Sequence, residues 1–133
     1  MSKTFHCTVI TPEQAALECE AESVVFPAHD GELGVMINRA PLICRMGIGV
    51  LRVNSPDGDK KLFIDGGFAQ IVGNKLTLLT EQAMTADDLS AEKVEQTLVE
   101  ARALKVTDDE SYEIRMKAIK RGEVQQKLLA GRA

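Results

Sequence analysis

Residues 27–42, PAHDGELGVMINRAPL, place glycine and proline at positions that constrain the course of the backbone. Pro27 ends the apolar run Val-Val-Phe, Asp30 and Gly31 form a tight-turn pair, and Pro41 precedes the next apolar run. Glycine tolerates a positive φ and proline locks φ, so both residue types mark bends. The pattern predicts a bent hairpin that crosses between two sheets. A second interpretation, compatible with the first, is a shaped loop that contacts a partner.

Short apolar segments on both sides of this stretch have the composition and the period of β-strands. The predicted strands cover residues 4–10, 15–18, 22–26, 43–53, 60–65, 68–72 and 75–81. Gly47 and Gly49 inside the longest segment indicate a bend at which one strand serves two sheets. Turn sequences, such as SPDG at residues 55–58, separate the other segments. This pattern favours an all-β sandwich over residues 1–84.

Residues 85–133 change to a helical period and predict a C-terminal α-helical hairpin, with helices at about 90–105 and 108–130. Ser90 is a good N-cap for the first helix, and Thr107 with Glu110 predicts a capping box for the second. The first apolar stripe is Ala91, Val94, Leu98 and Ala101, and the second is Tyr112, Met116, Ile119, Val124 and Leu128. Gly122 interrupts the second stripe. Because short helices are marginal alone, the hairpin must pack on the sandwich or on another surface.

Composition and charge exclude several classes of function. A net charge of −4 disfavours nucleic-acid binding, and an aromatic content of 4% without tryptophan disfavours base- or sugar-stacking platforms. No run approaches the roughly 20 apolar residues that span a bilayer. The first residues, MSKTFHC, contain no apolar signal core, so we expect the protein to stay where it is made. Three scattered cysteines fit small buried hydrophobes better than a disulfide or zinc site.

No constellation of residues predicts catalysis. His6 and His29 lack further ligands at metal spacing, which favours structural or solvent-facing roles. Phosphate-binding and nucleophile-elbow motifs are absent from the sequence. The carboxylates Asp57, Asp59 and Asp65 are expected to keep a hairpin edge soluble. A free-standing β-sandwich that binds a ligand and carries a regulatory helical tail is an alternative function, although few aromatic side chains are available to line its pocket. An enzyme is the third possibility.

Five fragments in one order carry a resemblance to a known family: TPE at 11–13, PxxDGELGV at 27–35, NxAPL at 38–42, GxG at 47–49 and DGGF at 65–68. Together they resemble the epsilon subunit of bacterial-type (F-type) ATP synthases, whose mitochondrial counterpart is the delta subunit. The resemblance implies a sandwich of about ten strands with a C-terminal helical hairpin. It implies a non-catalytic rotor subunit in the central stalk, at the cytoplasmic face of the bacterial plasma membrane. Its membrane contact would be only through the complex.

The resemblance also implies partners and contact residues. The sandwich would bind the gamma subunit and rest on the c-subunit ring, with ring contacts at Glu32, Arg39, Ala40 and Pro41. The hairpin can extend beside gamma and inhibit ATP hydrolysis. In that state the basic residues Arg115, Lys117, Lys120 and Arg121 would face an acidic loop of a beta subunit.

Two departures from the family pattern affect these expectations. The family's ATP-binding pattern on the hairpin is matched by Leu98, Arg102 and Ala103, but Val99 replaces its acidic residue, so we expect weak ATP binding and no cofactor. Arg39 stands where the family often has histidine. The first helix is also shorter than in longer bacterial members, which limits the reach of an extended hairpin.

Overall fold

The computed structural model describes residues 3–131, and in them ten strands form two five-stranded sheets. The first sheet has the order β2-β1-β9-β8-β5, and the second has the order β10-β7-β6-β3-β4. The strands in chain order are β1 Phe5–Ile10, β2 Ala15–Ala21, β3 Ser23–Ala28, β4 Gly31–Met36, β5 Leu42–Arg45, β6 Ile48–Asn54, β7 Lys60–Asp65, β8 Phe68–Val72, β9 Lys75–Leu79 and β10 Ala83–Met84. The predicted β-sandwich is confirmed.

The core lies between the two sheets and consists of the inward side chains of both. On β1 the alternation is strict, since Phe5, Cys7 and Val9 are buried while the residues between them are half-exposed. Val24 and Phe26 supply the facing layer from β3. Each such side chain contributes about 1.5–3 kcal/mol when it is fully withdrawn from water. Apolar side chains at period two therefore hold the sandwich together.

Residues 27–42 connect the two sheets, as their pattern predicts. β3 and β4 form an antiparallel hairpin in the second sheet, and residues 37–41 then cross to β5 in the first. The segment predicted as one strand at 43–53 divides into β5 and β6, which belong to different sheets. Gly47 and Gly49 lie at this division, where an added Cβ would come 3.1 Å from the Ala28 carbonyl oxygen and 2.7 Å from the Pro27 Cβ. A side chain at either position would press on β3, more severely at Gly49, so glycine eases this close approach.

The tail forms two helices, α1 Ala91–Arg102 and α2 Asp109–Leu129, after a short 3-10 turn at Ala86–Asp88. Ser90 caps α1 as predicted. The capping box predicted for Thr107 and Glu110 is wrong, because the cap lies one residue later. The Asp108 carboxylate accepts from the Ser111 amide at 2.8 Å, and the Ser111 hydroxyl accepts from the Asp108 amide at 3.0 Å. α1 also ends before the predicted residue 105, so residues 103–108 separate the helices.

The hairpin packs on the outer face of the second sheet. Val124 and Leu128 of α2 contact Val50 of β6 and Phe63 of β7. The predicted stripe is correct for these two residues. It is wrong for Tyr112 and Met116, which remain exposed because the residues of α2 that contact the sandwich lie in its C-terminal half.

Gly122 allows the two helices to come close together. An added Cβ at this position would lie 2.6 Å from both Cγ and Cδ2 of Leu98, which is buried on α1. Glycine costs about 1 kcal/mol relative to alanine in a helix interior. Here the missing side chain makes room for Leu98, so the glycine belongs to the interface between the helices.

Candidate partner-binding surfaces

The outer face of the first sheet carries an exposed apolar surface, which we call the apolar face. Its members are Ile43, Phe68, Val72 and Leu79, whose exposed fractions lie between 50% and 69%. Phe68 pairs with Leu79 across β8 and β9, and Ile10 of β1 pairs with Leu79 on its other side. Phe68, Leu79 and Ile10 therefore adjoin in one cross-strand row, whereas Gln70 lies between Phe68 and Val72 on β8. Large exposed apolar side chains grouped on one face are typical of protein–protein interaction sites. On the second sheet the hairpin covers the outer face at β6 and β7, while Met36 of β4 stays 65% exposed.

The local sequence explains this surface. β8 reads FAQIV, with Ala69 and Ile71 buried and Phe68, Gln70 and Val72 exposed. A half-buried strand normally carries polar residues on its exposed face, so two large apolar residues out of three on that face indicate a surface that a partner covers. The sequence analysis identified the strand but missed this signal.

Charged groups border the apolar face. On one side Arg45 pairs with Phe68 across β5 and β8. On the other side His6 contacts two carboxylates of β2, with Nδ1 3.0 Å from Glu20 Oε2 and Nε2 3.2 Å from Glu18 Oε1. His29 lies in the exposed β3–β4 turn. Among residues 3–131 no group of three or more histidine, cysteine or acidic side chains is arranged to hold a metal ion.

The four residues expected to face a ring of membrane subunits are all exposed, but they lie in two places. Arg39, Ala40 and Pro41 form the crossover between β4 and β5, whereas Glu32 lies at the opposite end of β4. Residues 32–36 of β4 span about 13 Å at 3.3 Å per residue, so the two places are at least about this far apart. Glu32 is also engaged, because one terminal guanidinium nitrogen of Arg52 donates to both of its oxygens at 3.0 and 2.8 Å.

The basic residues of α2 likewise divide into two groups. Lys117 and Lys120 are exposed. Arg115 donates to the Arg102 carbonyl at 3.2 Å, which joins the two helices. Arg121 pairs with Asp65 through its Nε, 2.9 Å from Oδ2.

This pair corrects the expectation that Asp65 only keeps a hairpin edge soluble. The Asp65 side chain is 14% exposed and forms an ion pair between the sandwich and the hairpin. The carboxylates Asp57 and Asp59 are exposed, as expected of them.

The residues of the degenerate ATP pattern are not brought together on one surface. Leu98 is buried between the helices, whereas Val99 is 57% exposed on α1. Arg102 and Ala103 are exposed at the end of the same helix. Leu98 therefore supports the hairpin packing, and Val99 faces solvent without a polar group to offer a ligand.

The cysteines have little thiolate character. Burial, with a smaller contribution from Cys19, raises the pKa of Cys7 to about 12. Burial also raises the pKa of the half-buried Cys19 and Cys44. The thiolate is the reactive form, so these residues act as small hydrophobes. This confirms the sequence interpretation fully for Cys7, which has no exposed surface.

The chain is thus a β-sandwich with exposed apolar side chains on one sheet and a helical hairpin packed on the other. Residues 4–86 match the model of the beta-sandwich domain of the ATP synthase delta/epsilon chain. The chain belongs to this family, whose members are non-catalytic subunits of the synthase. Membership favours a synthase subunit over a free-standing binding module.

Relatives support this assignment over most of the chain. The ATP synthase epsilon chain of Rhodopirellula baltica is 40% identical over 118 residues, covering 89% of this chain and 92% of that protein. The corresponding protein of Sinorhizobium fredii is 38% identical over 104 residues, covering 77% and 78%. The sodium ion specific epsilon chain of Propionigenium modestum is 26% identical over 118 residues, covering 87% and 86%.

Solved structures show the same fold at low identity. A chain of the Euglena gracilis mitochondrial ATP synthase OSCP/F1/c-ring structure matches with a TM-score of 0.82 at 21% identity, covering 97% of this chain and 82% of that one. A chain of the Tetrahymena thermophila central stalk/c-ring structure matches with a TM-score of 0.74 at 10% identity, covering 93% and 95%. No helix within residues 3–131 is long and apolar enough to cross a membrane.

Proposed function

We propose that this chain is a rotor subunit in the central stalk of an F-type ATP synthase, where it couples rotation of the c-subunit ring to the catalytic head through the gamma subunit. Family membership and the two structural relatives, which come from F1/c-ring and central stalk/c-ring assemblies, support this role. A sandwich of two hydrogen-bonded sheets suits a part that bears torque. The complex would hold the chain at the cytoplasmic face of the plasma membrane.

The apolar face is the surface that we assign to gamma, and it is the single observation that carries the proposal. Its four large side chains are half or more exposed. Full burial of such a side chain is worth about 1.5–3 kcal/mol, so covering the remaining surface contributes about 1 kcal/mol for each. A permanent partner would recover this free energy, whereas a free-standing chain would leave it exposed to water.

The ring contacts would be made at both ends of β4. Arg39, Ala40 and Pro41 present one cationic loop, and Glu32 presents an acidic group at the other end of the strand. A ring of identical subunits repeats the same polar loop around its circumference. Two contact points about 13 Å or more apart would touch the ring at two separate places.

The hairpin would exchange between the docked form of this structure and a form extended beside gamma that inhibits ATP hydrolysis. Undocking separates Leu128 and Val124 from the sheet and breaks the Arg121–Asp65 pair. Arg121 then becomes available, with Arg115, Lys117 and Lys120, to face an acidic loop of beta. Such switching elements exchange between discrete packed states rather than deform continuously.

The assignment of gamma to the apolar face is tested with Phe68→Ser and Leu79→Ser in the full chain. Each is expected to weaken the affinity for gamma about fivefold, as the loss of about 1 kcal/mol implies, while the thermal unfolding temperature stays within a few degrees because both side chains are half-exposed. Met36→Ser is the matched control, since Met36 is 65% exposed on β4 of the second sheet and lies outside both the apolar face and the hairpin. Normal gamma binding by both variants would contradict the proposal.

The ring assignment is tested by cross-linking in the assembled complex. Cysteine at position 32 or 39 is expected to cross-link to a c subunit, whereas cysteine at position 57, on the β6–β7 turn, is not. Cys19 and Cys44 are replaced by serine to remove background labelling. Equal cross-linking at all three positions would rule out the assignment. Arg39→Glu is expected to loosen ring binding, more strongly at low salt.

A further inference from the structure

Two asparagines with left-handed backbones face each other beside the crossover loop. Asn38 has φ 65° and Asn74 has φ 60°, and they are the non-glycine residues with positive φ within the described part of the chain. Asn38 begins the loop that carries Arg39, Ala40 and Pro41, and Asn74 lies in the turn between β8 and β9. Positive φ is uncommon outside glycine and marks positions where a special conformation is needed.

The two side chains form a clamp between these segments. The Asn38 amide N–H donates to Asn74 Oδ1 at 2.7 Å, and Asn74 Nδ2 donates to Asn38 Oδ1 at 3.3 Å. The Asn74 carbonyl also accepts from the His6 amide at 3.0 Å, which fastens the turn to β1. The crossover loop is thereby tied through Asn74 to β1 of the first sheet.

The turn itself would not require asparagine at position 74. Gly73 and Asn74 form a two-residue hairpin loop, closed by the pairing of Val72 with Lys75, in which both central residues have positive φ. Such turns accept glycine as well as asparagine, because both residue types adopt a positive φ and glycine does so without steric cost. Asparagine supplies what glycine lacks, a side-chain amide, and both polar atoms of that amide are bonded to Asn38.

We infer that Asn74 is a positioning residue for the ring-contacting loop. It holds residues 38–41 in one conformation before the partner binds. Because the loop is already ordered, association does not have to supply the free energy of ordering it. The inference rests on the proposed function of Arg39, Ala40 and Pro41. What it adds is that Asn74, which lies 33 to 36 positions further along the sequence and is not itself a proposed ring contact, controls the affinity of residues 38–41 for the ring.

The clamp is tested first in the isolated full chain with Asn74→Gly, which preserves the turn and removes the side chain. Solvent exchange of the Asn38 amide, measured by NMR, is expected to become about two- to tenfold faster, as the loss of one hydrogen bond implies. Asn74→Asp keeps an acceptor for this amide and is expected to retain its protection. Asn54→Ala, an exposed residue at the end of β6 outside the clamp, is the control. Unchanged exchange in Asn74→Gly would overturn the clamp.

The effect on the partner is tested by the affinity of the full chain, bound to gamma, for detergent-solubilised c ring. Asn74→Gly is expected to weaken binding about threefold or more, because loop ordering must then be supplied on association. Arg39→Glu serves as the independent test of the proposed contact. If Arg39→Glu weakens binding and Asn74→Gly does not, the positioning role is wrong while the ring contact stands. If neither variant changes binding, the ring contact itself is wrong and the positioning role falls with it.

Discussion

Replacing Asp65 with asparagine is expected to shift the helical hairpin away from its docked position. Arg121 of the hairpin and Asp65 of the sandwich form an ion pair, with Nε 2.9 Å from Oδ2. Asparagine has the same shape and keeps an oxygen that can accept from Arg121. The substitution therefore removes the charge of the pair and little else.

The magnitude follows from how deeply the two groups are buried. Exposed ion pairs contribute about 0.2–1 kcal/mol, whereas breaking a fully buried pair costs about 3–5 kcal/mol. Here Asp65 is 14% exposed, but Arg121 is 37% exposed and remains screened by solvent. We therefore expect Asp65→Asn to weaken docking by about 1 kcal/mol, or about fivefold in the docking equilibrium. The apolar contacts of Leu128 and Val124 keep the docked form populated.

Docking is measured by NMR from the methyl signals of Val50 and Leu128, which contact the opposing surface only in the docked form. The shift toward the undocked form is expected to shrink in high salt, where the wild-type pair is itself screened. In the assembled synthase the same variant is expected to strengthen inhibition of ATP hydrolysis, because Arg121 stays available to the extended form. Asp59→Asn, an exposed carboxylate on the β6–β7 turn, is the control for the loss of one charge.

A double-mutant cycle decides whether the two residues act as a pair. If the effects of Asp65→Asn and Arg121→Gln simply add, with coupling below about 0.3 kcal/mol, the ion pair does not hold the hairpin. A docked population that stays within the error of the wild type in Asp65→Asn would refute the reasoning directly.

Three further predictions concern packing, reactivity and autonomy. Gly122→Ala is expected to lower the thermal unfolding temperature, because overpacking against Leu98 costs about 1–3 kcal/mol and exceeds the roughly 1 kcal/mol gained in helix preference; a rise would show that the helices separate freely. Cys7 is expected to resist iodoacetamide at pH 8, since burial raises its pKa from 9.0 to about 12. Rapid labelling of the native protein would contradict this protection. The stability contributed by the neutral Cys7 thiol is complete below pH 9 and is lost as the pH rises toward 12. A chain ending at Met84, after the last strand, is expected to stay soluble and to restore coupled ATP synthesis in cells lacking the full chain. Aggregation or failed rotor assembly would show that the sandwich is not an independent part that suffices for assembly.

The sequence was sufficient for the sandwich because its signals are local. Alternation on β1 and turn residues at 55–58 specify strands without reference to distant parts of the chain. The division at Gly47 was also readable, since glycine inside a long apolar segment marks a bend. Cap positions were harder to predict from the sequence. Near the start of α2, Thr107, Asp108 and Ser111 can all bond to the same few backbone amides, and local geometry decides which of them is the N-cap, so the boundary is predicted only to within about one residue.

The contacts between the sandwich and the hairpin depended on tertiary structure. Asp65 and Arg121 are 56 residues apart, and nothing in their neighbours distinguishes this pair from other charges of the chain. A partial signal did exist in β7, where Leu62, Phe63 and Ile64 form a continuous apolar run that indicates a strand covered on both faces.

The sequence by itself therefore determined which segments are strands and helices, where the chain turns, and which family the chain belongs to. Only the tertiary structure decided which sheet the hairpin covers, which apolar residues of the other sheet stay exposed, and that Asn38 and Asn74 meet. The physical reason is that secondary structure and turns follow from the preferences of neighbouring residues. Surface contacts instead follow from which distant side chains the completed fold brings within a few ångströms. A local pattern such as the apolar run in β7 indicates that a surface is covered, but not which residues cover it.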